Sequence, residues 1–226
     1  MPEIYNLSLP ITDRTDPRLV PNTRSGGSAI NGQEQIISPL SSVWKWTINL
    51  PLNNEARVRG WRMVRHQLQG RWNYVRIRVC DRYRLNRNEI GASGRAPVLY
   101  ADGVPHSDGA GFKLAQPSAE ILAFAPKGAK SIGITAIGLN DAMSAGLFFS
   151  IADRLYVITN WEKIGDTYRL GFEPGLRVAA VPETDVVDFD AKSVWRLESD
   201  DEGRADLRLG RFATAQINLI EPLGWT

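Results

Sequence analysis

Residues 53–79 read NNEARVRGWRMVRHQLQGRWNYVRIRV, and the change of period inside this stretch decides the fold. Val58, Trp61, Val64 and Leu68 recur three and four apart, which stacks them on one face of a helix while Arg57, Arg59, Arg62 and Arg65 point elsewhere. Asn53 or Asn54 is placed to cap the helix start, Glu55 suits the positive end of its dipole, and Gly70 supplies the permissive backbone expected at its end. Then the period falls from 3.6 to 2. Val75, Ile77 and Val79 alternate with Tyr74, Arg76 and Arg78, the pattern of a half-buried strand. The helix has one side to bury and the strand one face.

Upstream, Val43 to Leu50 alternates cleanly, with Trp44, Trp46, Ile48 and Leu50 on one face and Lys45, Thr47 and Asn49 on the other. Pro51 lacks an N–H donor and is expected to stop this strand. Asn31-Gly32 between Ala29-Ile30 and Ile36-Ile37 predicts a hairpin. The first 25 residues carry Pro2, Pro10, Pro17 and Pro21 and predict a short strand around Ile4 to Leu9 followed by an irregular arm. Downstream, Ala119 to Ala125, Ser131 to Ala136, Leu147 to Ile151, Leu155 to Thr159 and Thr167 to Phe172 are short apolar runs punctuated by Gly and Pro, as in a small barrel or sandwich. Glu183 to Asp190 reads as the exit from that unit. Ser193 to Glu198, Asp206 to Leu209 and Ala213 to Ile220 read as strands that return to the N-terminal sheet. The fold class is mainly β, with a domain boundary near residues 95 to 100.

The chain has 226 residues, 43% hydrophobic and 23% charged, enough for two small domains. It shows neither a secretory signal nor a bilayer-spanning apolar run, which predicts a soluble protein made in the cytoplasm. Cys80 is the lone cysteine, so an intrachain disulfide and the cysteine-rich zinc frameworks are excluded. The net charge of +2 hides a sharp asymmetry. From Glu55 to Glu89 ten arginines face three acids, while from Glu183 to Asp206 nine acids face three basic residues. Those two patches are expected to pair inside the fold or between copies.

A catalytic site needs convergent groups, and few are visible. His66 and His106 have no ligand spacing for zinc, and Cys80 has no partner histidine. The loop Gly103 to Gly111 lacks a phosphate-binding signature. Acids around Glu183 to Asp190 and at Asp200 to Glu202 match a calcium site or a glycosidase pair in type, but the second group sits at a hairpin tip where solvated acids are the default. The arginine-rich stretch has the charge to track phosphates, yet a helix also needs arginines on its wet face. Trp161, Tyr168 and Trp195 are the aromatics that suit sugar stacking; in β domains such residues more often fill the core.

The order of the pieces resembles one family. Arg24-Ser25-Gly26-Gly27 with Gly32 and Glu34 comes first, then the Trp44 strand, the helix with Trp61 and Leu68, Gly70-Arg71, and the strand Asn73 to Val79. Gly146-Leu147-Phe148-Phe149-Ser150-Ile151, Arg154 to Ile158, the turn Phe172-Glu173-Pro174-Gly175-Leu176-Arg177, Arg211-Phe212-Ala213 and Ile217 to Pro222 complete the series. In this order they resemble the distal tail (Dit-like) proteins of long-tailed phages, over most of residues 24–222.

The resemblance implies a ring-forming β-sandwich with one amphipathic helix, built from residues 1–98 with 188–226, and an inserted OB-like β-barrel of residues 99–187. It implies a virion protein of the tail tip or baseplate, a hexameric ring that joins the tail tube protein to the hub, tip or receptor-binding proteins. Genomic DNA would pass through the ring without sequence-specific binding, and no enzyme activity, cofactor, metal or membrane contact is implied. Arg76 and Arg78 on one side and Asp200, Asp201 and Glu202 on the other are the candidate subunit interface. The alternative from another class is a carbohydrate-binding module for host-surface recognition that uses Trp161 and Tyr168. A minor tail enzyme would need a convergent acid and base.

Overall fold

The computed structural model describes residues 1–7, 9, 11, 13–14, 16–28, 34–37, 42–79, 81, 83, 85, 118–135, 139, 143–204 and 213–225. In chain order the described elements are β1 (Ile4–Asn6), β2 (Asp13–Arg14), β3 (Arg18–Val20), β4 (Arg24–Ser28), β5 (Glu34–Ile37), β6 (Val43–Leu52), α1 (Glu55–Leu68) and β7 (Tyr74–Arg78). There follow β8 (Ser118–Glu120), β9 (Ser131–Thr135), β10 (Phe148–Ile151), β11 (Arg154–Ile164), β12 (Thr167–Glu173), β13 (Val186–Asp188), β14 (Lys192–Leu197) and β15 (Ala213–Ile220). The protein is mainly β. It divides into two compact units, one of residues 1–77 with 193–226 and the other of residues 78–192. The expected inner limit at 98/99, the Asn31-Gly32 turn, Cys80, the His106 loop and the strand expected at Asp206 to Leu209 lie outside the described residues.

The first unit holds a seven-stranded sheet in the order β1-β7-β14-β15-β6-β2, with β3 also on β6, and a separate ribbon of β4 and β5. The longest ladder joins β15 to β6 from Ala213 opposite Leu52 to Ile220 opposite Lys45. Burial in β6 alternates along its whole length, from Trp44 at 2% exposure to Leu52 at 1%. Pro51 therefore does not end the strand. Trp44 both accepts from the Glu221 amide at 2.9 Å and donates to Glu221 Oε2 at 3.3 Å, so even-numbered positions of β6 turn their backbone groups toward β15. Pro51 is odd-numbered and faces the other side, where β2 pairs no further along than Asn49. Its missing N–H costs no ladder bond there.

Helix α1 starts on Asn54, whose side chain accepts from the Arg57 amide at 2.8 Å, and Glu55 forms an ion pair with Arg59 one turn on. Trp61, Val64 and Leu68 are buried, each contributing about 1.5–3 kcal/mol relative to exposure. The helix ends one residue earlier than Gly70 suggests, on Gln69 at φ 49°, with Gly70 continuing left-handed at φ 66°. Asn73 makes that end affordable to the last turn: its amide donates to Leu68 O at 3.0 Å and its Nδ2 to Gln67 O at 2.7 Å. Asn73 Oδ1 accepts from the Glu3 amide at 2.9 Å, so one 5%-exposed side chain ties helix end to N-terminal strand. Strand β1 then pairs with β7 in parallel, Ile4 opposite Tyr74.

The second unit holds a six-stranded sheet in the order β8-β13-β10-β11-β12-β9. Its two ends meet, because Leu122 donates to Gly133 O at 3.0 Å and Ile121 bridges Ile134. Every apolar run expected between Ala119 and Phe172 supplies a strand. The acidic stretch expected as an exit instead contributes β13, paired with β8 and β10. Phe149 is the centre of the core, with ring centroids of Tyr156, Phe172 and Phe189 at 5.4, 5.5 and 6.2 Å. The turn at Gly175-Leu176-Arg177 is bound to the 126–130 segment by Gly128 to Leu176 O at 2.7 Å and Leu176 to Ala129 O at 2.9 Å. Tyr156 Oη accepts from the Arg177 amide at 3.2 Å. The register of β11 on β12 shifts between Ile158 and Asn160, and from Thr159 to Ile164 every residue of β11 is exposed.

Candidate functional site

The acids at the hairpin tip are construction, not a free patch. Asp200 Oδ1 accepts from the Arg71 amide at 2.9 Å and lies close over Gly70, where a Cβ would come within 2.6 Å of it. Glu202 takes the Asn218 amide of β15 at 3.0 Å and the Asn218 Nδ2 at 3.2 and 3.3 Å on its two oxygens. Gly203, at φ 73°, accepts from the buried Trp61 Nε1 at 2.9 Å, and its Cα lies against the Trp61 ring where no Cβ fits. The turn 200–203 thus clamps both the end and the middle of α1 in the first unit. Asp201 is exposed.

The basic candidates separate in the same way. Arg78 points both Nε and Nη2 at Asp190 Oδ1, at 2.6 and 2.5 Å, inside the second unit. Arg76 is half-buried in β7. Lys45 pairs with Glu198, and Lys192 reaches Asp188 at 3.7 Å. Burial raises the Asp188 carboxyl above the ordinary aspartate value, against the lowering effect of the Asp190 amide and Lys192. Arg78 with Asp190 and Arg71 with Asp200 thus join the basic stretch to the acidic one inside the fold, while the described acids of 183–204 make no ion pair with the arginines of α1. Arg62, Arg65 and His66 have neither an ion pair nor a hydrogen bond among the described residues.

Of the candidate ligand-facing aromatics, Tyr168 is 1% exposed and belongs to the core, and Trp195 is fully buried with its ring 5.3 Å from Trp46. Even-numbered positions of β12 point inward, which is why Tyr168 is lost to solvent. Trp161 is 40% exposed, edge-on to Tyr168 with centroids 5.7 Å apart, and the Lys163 ammonium lies 5.9 Å from the Tyr168 ring. Strand alternation puts Ile164 and Arg169 on the opposite face from Trp161. There a shallow cleft of about 360 Å³ is lined by Phe124, Gly133, Ile164, Thr167 and Arg169 among others. Phe124 at 61% and Ile164 at 54% exposure are apolar rims that the sequence pattern did not single out.

Among the described residues no group of three or more His, Cys, Asp or Glu is arranged to hold a metal. No described helix is long and apolar enough to cross a membrane. No protein-family model matches this chain, and no curated protein matches it.

Proposed function

We propose that this chain is a non-enzymatic structural protein of a phage tail, a ring-forming distal tail component that links the tail tube to the tip or adsorption apparatus. The observation that carries the reading is the connectivity. Strands β14 and β15 return to lie between β7 and β6 in the first sheet, so the chain leaves that unit at Ile77 and re-enters it at Ser193 with a second unit between. A unit interrupted by an insertion is the order that the resemblance implies for the ring-forming domain. The meeting of sheet ends at Leu122 and Gly133 supports a small, OB-like barrel for the insertion, and the seven-stranded sheet carrying α1 supports a β-rich ring domain with one helix.

The mechanism is geometric. A head-to-tail ring needs two different surfaces on each copy, and closure leaves an axial passage for DNA while the rim docks to tube and tip proteins. Of the charged interface candidates, Asp201 is exposed and Arg76 half-buried, while Asp200, Glu202 and Arg78 make contacts within their own units. Sedimentation at several salt concentrations tests the reading: assembly that weakens with salt and with Asp201→Lys supports it, and assembly indifferent to both removes these residues from the interface.

The cleft beside Phe124 and Ile164 favours a second reading, carbohydrate recognition by the inserted unit. Glycan binding lost on Phe124→Ser would support that reading, and absence of binding to any surface glycan would end it.

A further inference from the structure

We infer that the outer face of α1, continued by Trp72, is a sequence-independent docking surface for the phosphate backbone of nucleic acid. Four of the described acids that the sequence offers as partners for the helix arginines are engaged elsewhere. Glu198 pairs with Lys45, Asp200 caps the Arg71 amide, Glu202 holds Asn218, and Asp190 holds Arg78. Along α1 itself Glu55 pairs with Arg59, and Arg57 donates to the Asn53 side chain at 2.6 Å. That leaves Arg62, exposed, and Arg65, half-buried, with cationic groups that no described carboxylate neutralises. His66 and Met63 share the exposed face, Met63 at 54% exposure.

The geometry suits a chain of phosphates. Residues three and four apart on a helix lie about 5–6 Å apart, so Arg59, Arg62 and His66 form one row and Arg65 flanks it. The row ends at the turn after α1, where Trp72 is 61% exposed and the Arg71 guanidinium, 3.8 Å from Asp200, stands beside it in sequence. An exposed indole next to a cationic row is the combination by which single strands are held, with phosphates on the cations and a base on the ring. Asp200 Oδ1 accepts from the Arg71 amide and also stands 3.8 Å from its guanidinium. An acidic protein face would engage the same arginines, so a Trp72-dependent preference for single strands is the property that separates the two partners.

The test uses the full chain, titrated with a fluorescent single-stranded oligonucleotide and with a duplex of the same length at 50 and 200 mM salt. With about three phosphates engaged, affinity should fall about twenty-fold for the single strand and about forty-fold for the duplex over that range. Arg62→Gln with Arg65→Gln should reduce the slope of log affinity against log salt by about one per residue. Trp72→Ala should weaken the single strand about tenfold or more and spare the duplex. Circular dichroism of each variant checks that the fold is intact. The inference is overturned if neither nucleic acid binds at 50 mM salt, or if binding survives the double substitution unchanged. It is equally overturned if the double substitution abolishes self-association of the protein instead, which would make the face a protein contact.

Discussion

Gly203→Ala should destabilise the first unit by about 2–4 kcal/mol, and the effect can be assembled from its parts. Gly203 stands at φ 73°, where an alanine is strained by roughly 1 kcal/mol. Its new Cβ would run into Trp61 Cζ2 and sit 3.1 Å from Cη2, with a rigid indole packed in the core on the other side. Overpacking of that kind costs about 1–3 kcal/mol. If the ring gives way, the 2.9 Å bond from Trp61 Nε1 to Gly203 O goes with it, a further loss of about 1 kcal/mol. Urea unfolding followed by tryptophan fluorescence reads the change as a fall in the midpoint of the first unit's transition by about 1–2 M, with the second unit unmoved. In a Trp61→Ala background the steric part vanishes, so the same substitution should then cost only about 1 kcal/mol. A cost below about 1 kcal/mol in the native background, or the same cost in both backgrounds, would refute the clamp between turn and helix.

Asn73→Ala removes the side chain shared by Glu3 and Gln67 and should cost about 2–3 kcal/mol in thermal or urea unfolding of the first unit. In the second unit, Gly171→Ala puts a Cβ into the Asn160 amide across the hairpin and should cost about 1–3 kcal/mol, while Asn160→Ala made together with it should recover most of that loss. Asp188 is protonated more readily folded than unfolded, because burial raises its carboxyl. Its contribution to stability therefore declines as pH rises from the ordinary aspartate value through the raised one, and is restored below both. Asp188→Asn should flatten that part of the second unit's stability profile against pH; an unchanged profile would refute the assignment.

The features legible in the sequence are those set by local period. The helix with Trp61, Val64 and Leu68 inward, the alternation of β6 and β7, and the apolar runs of the second unit follow from spacing alone, because side-chain direction repeats every 3.6 or 2 residues. What escaped depends on contacts between distant residues. Pro51 stays in β6 because, among the described residues, β2 pairs with that side of the strand only as far as Asn49, a fact of sheet order. Gln69 takes the left-handed position because Asn73 satisfies the helix end. The acids at 200 and 202 read as a solvated tip, yet their partners Arg71 and Asn218 lie 129 and 16 positions away, on elements that only the fold brings together. Tyr168, a ligand-facing candidate only under the carbohydrate alternative, lies in the core, as aromatics of β domains more often do. The state of Arg62 and Arg65 on α1 likewise depends on where the described acids find their partners, which spacing along the chain does not encode.

The central claim is that copies of this chain close into a ring. Its most direct test is the mass and two-dimensional class averages of the purified protein over a range of concentrations, alone and with tail tube protein. The account predicts closed rings with a central hole and a mass that is a whole multiple of the chain's, six for the hexamer implied by the resemblance. A monomer at every concentration, with tube protein as without it, would contradict it.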